Sequence, residues 1–214
     1  MAGLGNDFIA CLIHRRDPKQ TSHDGDTLLN FLWKSELPVT LASINYRLSP
    51  AARHPSHQED VISALEYLKE RYNMEEFVLV GHSAGACLAF QSAHVAYCRG
   101  IIGVEGIYDM EELVKEYPEY ENFVEEAFET DKNVWRKASP THIDLDSSLT
   151  IKLVQSIEDE LLSPRQTQLM FSKLKTMNIT LQDIAWIKGN HNTSITTQEF
   201  CTLVYDFIAQ LIHF

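Results

Sequence analysis

A serine between two glycines, in Gly81-His82-Ser83-Ala84-Gly85, is the clearest chemical signal in this chain. The apolar residues 77–80 precede it and the small residues of 84–93 follow it, which predicts a strand that turns sharply into a helix. A G-x-S-x-G turn of this kind lifts the serine hydroxyl off the sheet, where it can attack a carbonyl carbon. The same pattern occurs by chance in ordinary turns, but the strand and helix around it favour a nucleophile at Ser83.

A serine nucleophile needs a neighbouring base, and the base needs a third group to orient it. In folds built around this turn, the chain order is serine, then acid, then histidine. Of the nine histidines, only His191 and His213 follow the acids that come after the fifth predicted strand. His191 lies in the turn-rich stretch 188–192, whereas His213 ends an amphipathic helix, where packing or solvent exposure accounts for it. The order therefore favours His191 as the base.

The acid should lie in the loop after the fifth predicted strand, residues 149–155. The sequence Ile157-Glu158-Asp159-Glu160-Leu161 offers three carboxylates there. Spacing alone does not choose among Glu158, Asp159 and Glu160, so the residues themselves leave three candidates.

Strands alternating with helices are needed to position these groups, and the hydrophobic pattern predicts them along the whole chain. The pattern favours a single α/β domain over residues 1–214, with a mostly parallel sheet covered by helices on both faces. The predicted strands are 8–13, 39–46, 77–80, 101–104, 149–155 and 179–186. The predicted helices are 27–34, one that a capping box opens at Ser56, one after Ser83, one that begins after Ser163, and a closing one over 200–211.

Residues 109–140 differ from the rest because they are acidic and aromatic and predict several short helices. Their aromatic residues are Tyr117, Tyr120, Phe123, Phe128 and Trp135. The acidic residues fit a solvated helix face. The aromatic residues predict a lid-like insertion that covers a pocket.

Composition excludes several classes of partner. The net charge is −12, from 18 basic and 30 acidic residues, which argues against nucleic acid and against an anionic membrane surface. The four cysteines lack C-x-x-C spacing and favour reduced thiols. Because no secretory signal and no apolar run of membrane-spanning length is visible, the sequence predicts a cytoplasmic protein. The close histidine pair His54 and His57 spans a loop and predicts no metal site. The sequence leaves open whether the protein forms a homodimer.

Several motifs together resemble the α/β-hydrolase superfamily and, within it, the fungal kynurenine formamidases. The general motifs are Asn45-Tyr46-Arg47-Leu48-Ser49-Pro50, the turn at Ser83 and Asp159-Glu160-Leu161. The more specific ones are Gly106-Ile107-Tyr108-Asp109 with Glu112-Leu113, then Glu116-Tyr117-Pro118-Glu119-Tyr120, and Arg165-Gln166-Thr167. The resemblance covers roughly residues 8–213.

The resemblance implies an α/β-hydrolase fold and hydrolysis of N-formyl-L-kynurenine to L-kynurenine and formate, with no metal or cofactor. It assigns Ser83 as nucleophile, Asp159 as orienting acid and His191 as general base. It places the backbone amide of Ala84 in the oxyanion hole.

Substrate binding is expected at Tyr108 and at His14, with core packing as the alternative for Tyr108. The family carries an H-G-G-x-W motif where this chain has His14-Arg15-Arg16-Asp17-Pro18. The glycine amides of that motif supply the second half of the oxyanion hole, and losing one such donor costs about 100- to 1000-fold in turnover. The two family strands that precede residues 8–13 are also expected to be missing, which leaves 39–46 as a sheet edge.

Three interpretations fit this departure from the family. They are an incomplete sequence of an active enzyme, a weakened enzyme, and an inactive relative kept for binding. The intact serine, acid and histidine favour the first two. A general carboxylesterase for small acyl esters is the alternative enzymatic function.

Overall fold

The computed structural model describes residues 8–13, 24–35, 37–73, 76–95 and 97–212. Strands and helices alternate along this part of the chain. The strands are β1 (Phe8–Ile13), β2 (Thr40–Ile44), β3 (Glu76–His82), β4 (Cys98–Val104), β5 (Thr150–Ser156), β6 (Thr180–Leu181) and β7 (Ala185–Ile187). The α-helices are α1 (Asp24–Lys34), α2 (Ser56–Tyr72), α3 (Ala84–Gln91), α4 (Met110–Glu116), α5 (Glu121–Phe128), α6 (Lys132–Ala138), α7 (Pro164–Leu174) and α8 (Gln198–Ile212).

The strands form one sheet in the order β2-β1-β3-β4-β5-β6, with β7 also paired to β5. Each pairing between the described strands is parallel. The predicted α/β class is therefore confirmed, and among the described strands β2 stands at one end of the order. Because parallel strands finish at the same side of a sheet, the residues that follow β3, β4, β5 and β7 are brought to one edge.

Alternate residues of β1 point to opposite faces of the sheet, and each face is covered by helices. Ile9, Cys11 and Ile13 pack with buried residues of α2, α3 and α7. Ala10 and Leu12 pack with α1 and α8. Strand β1 is thus buried on both sides, which explains its continuous apolar run.

The predicted sixth strand is wrong in detail, because the chain forms two short strands there. Leu181 pairs with Ile151 and Ala185 pairs with Val154, so the three residues 182–184 lie opposite two residues of β5. The pairing to β5 is therefore interrupted between the two short strands and resumes with an offset of one residue. The loop after β7 carries His191.

Two predicted helix starts differ in their capping. Helix α2 begins at Ser56 itself, and its N-cap, Pro55, makes no side-chain cap hydrogen bond. The hydroxyl of Ser163 does accept the amide of Arg165 at the start of α7. Gln166 does not complete a capping box, because its side-chain oxygen accepts the amides of Tyr108 and Asp109 at 2.8 Å each.

Short helices fill the segment between β4 and β5, as the sequence predicts. Helices α4, α5 and α6 and the 3-10 turns Pro118–Tyr120 and Pro140–His142 lie there. Their apolar residues form a separate buried cluster that includes Cys87 of α3, with Ile107, Met110, Leu113, Val124, Trp135, Ala138 and Leu162. Within the described ranges, no helix is long and apolar enough to cross a bilayer.

Candidate active site

Ser83 lies in a strained turn between β3 and α3. Its backbone has φ 55° and ψ −122°, a left-handed conformation that a non-glycine residue adopts at a cost of roughly 1–3 kcal/mol. The turn is tight, since a Cβ added at Gly81 would lie 2.6 Å from the Cα of Ala86. The sequence Gly81–Gly85 therefore folds as the sharp strand-to-helix turn that its spacing predicts.

His191 is oriented by Asp159. The ring atom Nδ1 lies 2.9 Å from Asp159 Oδ2, and the side chains are only 5% and 1% exposed. Burial acts to raise the pKa of Asp159, but the hydrogen bond from His191 and the amides of Leu162 and Leu161 outweigh it and lower that pKa. An ionised Asp159 keeps the ring proton on Nδ1, which leaves Nε2 as the basic nitrogen.

The three candidate carboxylates have different partners. Glu158 accepts the amide of Gly189 at 2.9 Å, and Glu160 accepts the amide of His191 at 3.0 Å. Only Asp159 of these three contacts the imidazole. The acids on either side of it therefore hold the backbone of the His191 loop, while Asp159 holds the ring.

The loop brings His191 against the serine turn. The His191 and His82 rings have their centroids 4.6 Å apart, and His82 directly precedes Ser83. Between Ser83 and His191, both in the described chain, no hydrogen bond is formed. Such catalytic hydrogen bonds often tighten only in the complex with substrate. The geometry thus brings the turn at Ser83 close to His191 without a hydrogen bond between the serine and the histidine.

The amide of Ala84 is available for an oxyanion. Ala84 is the first residue of α3, and the first amides of a helix have no intrahelical partner. Ala84 also lines the cavity beside the turn. Residues 14–18, which include His14 and replace the glycine motif of the family, lie outside the described residues.

A mostly apolar cavity opens beside Ser83. It is lined by the segment after β2, by His57 of α2 and by residues of α3 and α5. The lining residues are Tyr46, Leu48, Ser49, His57, Ala84, Cys87, Leu88, Ile107, Met110, Phe123, Val124, Glu126, Ala127 and Phe128. Three aromatic rings in such a cavity suit a flat, partly apolar ligand.

Tyr108 does not line this cavity, which corrects its expected role in substrate binding. Its side chain is 0% exposed, and its ring packs edge-on to Phe90, with centroids 5.7 Å apart. The backbone around it is fixed by Gln166. Core packing, the alternative that the sequence allowed, accounts for the Tyr108 ring.

No pattern in the sequence singles out Glu105, although it directly follows the buried strand β4. It lies at the same edge of the sheet as Ser83. Its Oε2 atom is 3.2 Å from His82 Nε2 and 3.5 Å from His191 Nδ1. Potential ligand atoms of His82, Glu105 and His191 lie within 4.8 Å of one another, the spacing of a metal site. Each of these residues already has a protein partner here, since Glu105 pairs with His82 and Asp159 pairs with His191.

A parallel sheet with a strained serine turn at its carboxyl edge defines a class of enzymes, the α/β hydrolases. Residues 21–196 match the family described as "alpha/beta hydrolase fold". The chain belongs to this family.

Curated relatives show which members of this family the chain resembles. The chain is 38% identical over 227 residues to the kynurenine formamidase of Meyerozyma guilliermondii, covering 95% of this chain and 85% of that protein. It is 27% identical to the kynurenine formamidase of Debaryomyces hansenii, covering 95% of this chain and 92% of that protein. The resemblance to fungal kynurenine formamidases is therefore confirmed.

Solved structures support the fold alone. Esterase B from Lactobacillus rhamnosis superimposes with a TM-score of 0.76 at 12% identity, covering 95% of this chain and 74% of that one. An acetyl ester-xyloside bifunctional hydrolase from Caldicellulosiruptor lactoaceticus gives a TM-score of 0.73 at 15% identity, covering 95% of this chain and 82% of that one.

Proposed function

We propose that this chain is a serine hydrolase that cleaves N-formyl-L-kynurenine to L-kynurenine and formate. The observation that carries the proposal is the bond from His191 Nδ1 to Asp159, made beside the strained turn at Ser83. The kynurenine formamidases named above support the choice of substrate. The catalytic set is Ser83, Asp159 and His191.

In the first half of the reaction, Ser83 Oγ attacks the formyl carbon while His191 Nε2 accepts the hydroxyl proton. The carbonyl oxygen becomes an oxyanion, to which the amide of Ala84 donates a hydrogen bond. The C–N bond then breaks, and His191 returns the proton to the departing aniline nitrogen. Ser83 is left as a formyl ester, and L-kynurenine leaves.

In the second half, His191 accepts a proton from water, and the resulting hydroxide attacks the formyl ester. The ester C–O bond breaks, Ser83 Oγ regains its proton from His191, and formic acid leaves and gives its proton to water, which yields formate. Throughout, Asp159 stabilises the imidazolium through Nδ1 without taking its proton. No step uses a metal or a cofactor.

The cavity supplies a place for the aryl ring of the substrate. Phe123 and Phe128 of α5 line this cavity together with Tyr46. Because Phe123, Phe128 and Glu126 belong to the inserted segment 109–140, that segment acts as a lid over the substrate. Glu126 is the acidic group of the cavity lining and suits the α-ammonium of kynurenine.

Purified protein tests the proposal through its turnover of N-formylkynurenine, followed by the absorbance of kynurenine. The matched control is Ser83→Ala, which removes the nucleophile and should abolish turnover and labelling by a fluorophosphonate probe. Comparison with p-nitrophenyl acetate distinguishes a formamidase from a general esterase. A parent protein that neither turns over the formamide nor reacts with the probe would contradict the proposal and favour a non-catalytic binding protein.

The other expectations about partners and location stay predictions. They are a cytoplasmic location, the absence of nucleic-acid and membrane partners, and a homodimer that the sequence leaves open. Sedimentation analysis of the purified chain would settle the oligomeric state.

A further inference from the structure

Glu105 is a completely buried carboxyl group at the end of β4, with 0% exposure. Its Oε1 atom accepts the amide of Ser156 at 3.1 Å, at the end of β5. Its Oε2 atom accepts the hydroxyl of Ser194 at 3.0 Å, in the turn that follows the His191 loop. This one side chain therefore joins two strand ends to the loop that carries the histidine.

The same Oε2 atom also reaches both histidines of the site. It lies 3.2 Å from His82 Nε2 and 3.5 Å from His191 Nδ1. The two rings are tilted by 40° and packed together, with centroids 4.6 Å apart. Glu105 thus contacts the His82 ring, against which the His191 ring packs. It also lies close to His191 Nδ1, the atom that Asp159 binds.

We propose that Glu105 is a positioning residue for the hydrolysis proposed above, and that it fixes the His191 imidazole against Asp159 through its contacts to His82 and Ser194. This inference depends on the proposed function for its catalytic consequence, but the geometry that it claims can be tested without substrate. Asp159 selects the tautomer of the ring, while Glu105 fixes the place of the ring over the turn.

The charges around Glu105 favour its protonated, neutral form. The titratable groups that face it are His82 on β3, Tyr108 after β4, Asp159 after β5 and His191 after β7. Burial and the charge of Asp159 raise the pKa of Glu105 to about 8. Two carboxylates beside one imidazole do not both ionise readily, so Asp159 carries the charge at neutral pH. Glu105 then keeps its proton, within hydrogen-bond distance of His82 Nε2.

Two variants test this role. Glu105→Gln resembles the protonated side chain and should keep kcat within about threefold of the parent at neutral pH. Glu105→Leu removes the polar contacts and should lower kcat by about 100-fold with KM unchanged, the order expected when a catalytic group moves by ~1 Å. Glu70→Gln, on the exposed face of α2, is the charge-matched control.

The pH profile gives a readout that a purely structural role would not change. In the parent protein, kcat/KM should fall above the pKa of Glu105, because an ionised Glu105 competes with Asp159 for the Nδ1 proton of His191. Glu105→Gln should lack this decline. Identical profiles for the two proteins between about pH 6 and about pH 9 would overturn the proposal.

A measurement without substrate separates this proposal from the proposed function. The Nδ1 proton shared by His191 and Asp159 should give a low-field proton resonance, assigned by its loss in Asp159→Asn. Glu105→Gln should retain this resonance, and Glu105→Leu should lose it or broaden it. If Glu105→Leu is folded and keeps the resonance unchanged, Glu105 does not position the ring, whether or not the protein hydrolyses any formamide.

Discussion

Asp159 Oδ2 lies 2.9 Å from His191 Nδ1, and 32 residues of sequence separate the two. The pair connects the loop after β5 to the loop after β7 at the edge of the sheet where Ser83 lies. Because the two side chains are 1% and 5% exposed, water competes little for this hydrogen bond. The pair therefore keeps the ring proton on Nδ1 and leaves Nε2 as the nitrogen that can accept a proton.

Asp159→Asn should lower kcat for N-formylkynurenine by about 10⁴-fold, the order seen when an orienting aspartate of a serine hydrolase is replaced in this way. The amide group favours the wrong tautomer of His191 without changing the size of the side chain. Steady-state kinetics measure the effect. Asp144→Asn, whose parent side chain is 98% exposed, is the control. A kcat for Asp159→Asn within tenfold of the parent would contradict the assignment.

Glu105 should make stability depend on pH. Its folded-state pKa is about 8, whereas an unfolded glutamate titrates near ~4.3. The folded protein therefore binds more protons between these values, and the free energy of unfolding should fall as pH rises through this window. The loss between about pH 5 and about pH 8 should be about 2–4 kcal/mol larger for the parent than for Glu105→Gln. Urea unfolding at several pH values measures it, and parallel curves would refute the expectation.

Gly81→Ala should destabilise the protein by about 2–3 kcal/mol, as expected for overpacking against backbone that cannot move aside. The added Cβ would lie 2.6 Å from the Cα and 2.7 Å from the nitrogen of Ala86. Gly100→Ala is the matched control, because there the Cβ would meet the side-chain end of Leu211 at 2.8 Å. Thermal unfolding compares the two variants. An equal loss of stability in both variants would contradict the expectation that the turn at Ser83 tolerates an added methyl group less well than Gly100 does.

Phe123→Ala should raise KM for N-formylkynurenine by about tenfold with little change in kcat, because binding lost equally from substrate and transition state affects KM alone. Phe123 lines the cavity from α5. Tyr67→Ala, on an exposed residue of α2, controls for the loss of an aromatic side chain elsewhere. Unchanged KM in Phe123→Ala would place the aryl ring of the substrate outside this cavity.

Local patterns in the sequence predicted the first five strands and the turn at Ser83, and they made His191 the candidate base. A glycine-flanked serine between an apolar strand and a small-residue helix acts over a few neighbouring residues, so its pattern is visible in the chain itself. The expected order of serine, acid and histidine then made the loop residue His191 the candidate base, and its ring lies 2.9 Å from Asp159. The same local patterns left three carboxylates open and gave no indication of Glu105.

Tertiary structure decided what depends on contacts between distant residues. Glu105 bonds to Ser156 and Ser194, which lie 51 and 89 residues further along the chain. Asp159 alone among its neighbours turns towards the imidazole, while Tyr108 turns into the core. Hydrophobic periodicity states which face of an element is buried, but it does not state which element covers that face. For this reason the sequence indicates the chemistry of the site, and the packed sheet decides which carboxylate contacts the His191 ring.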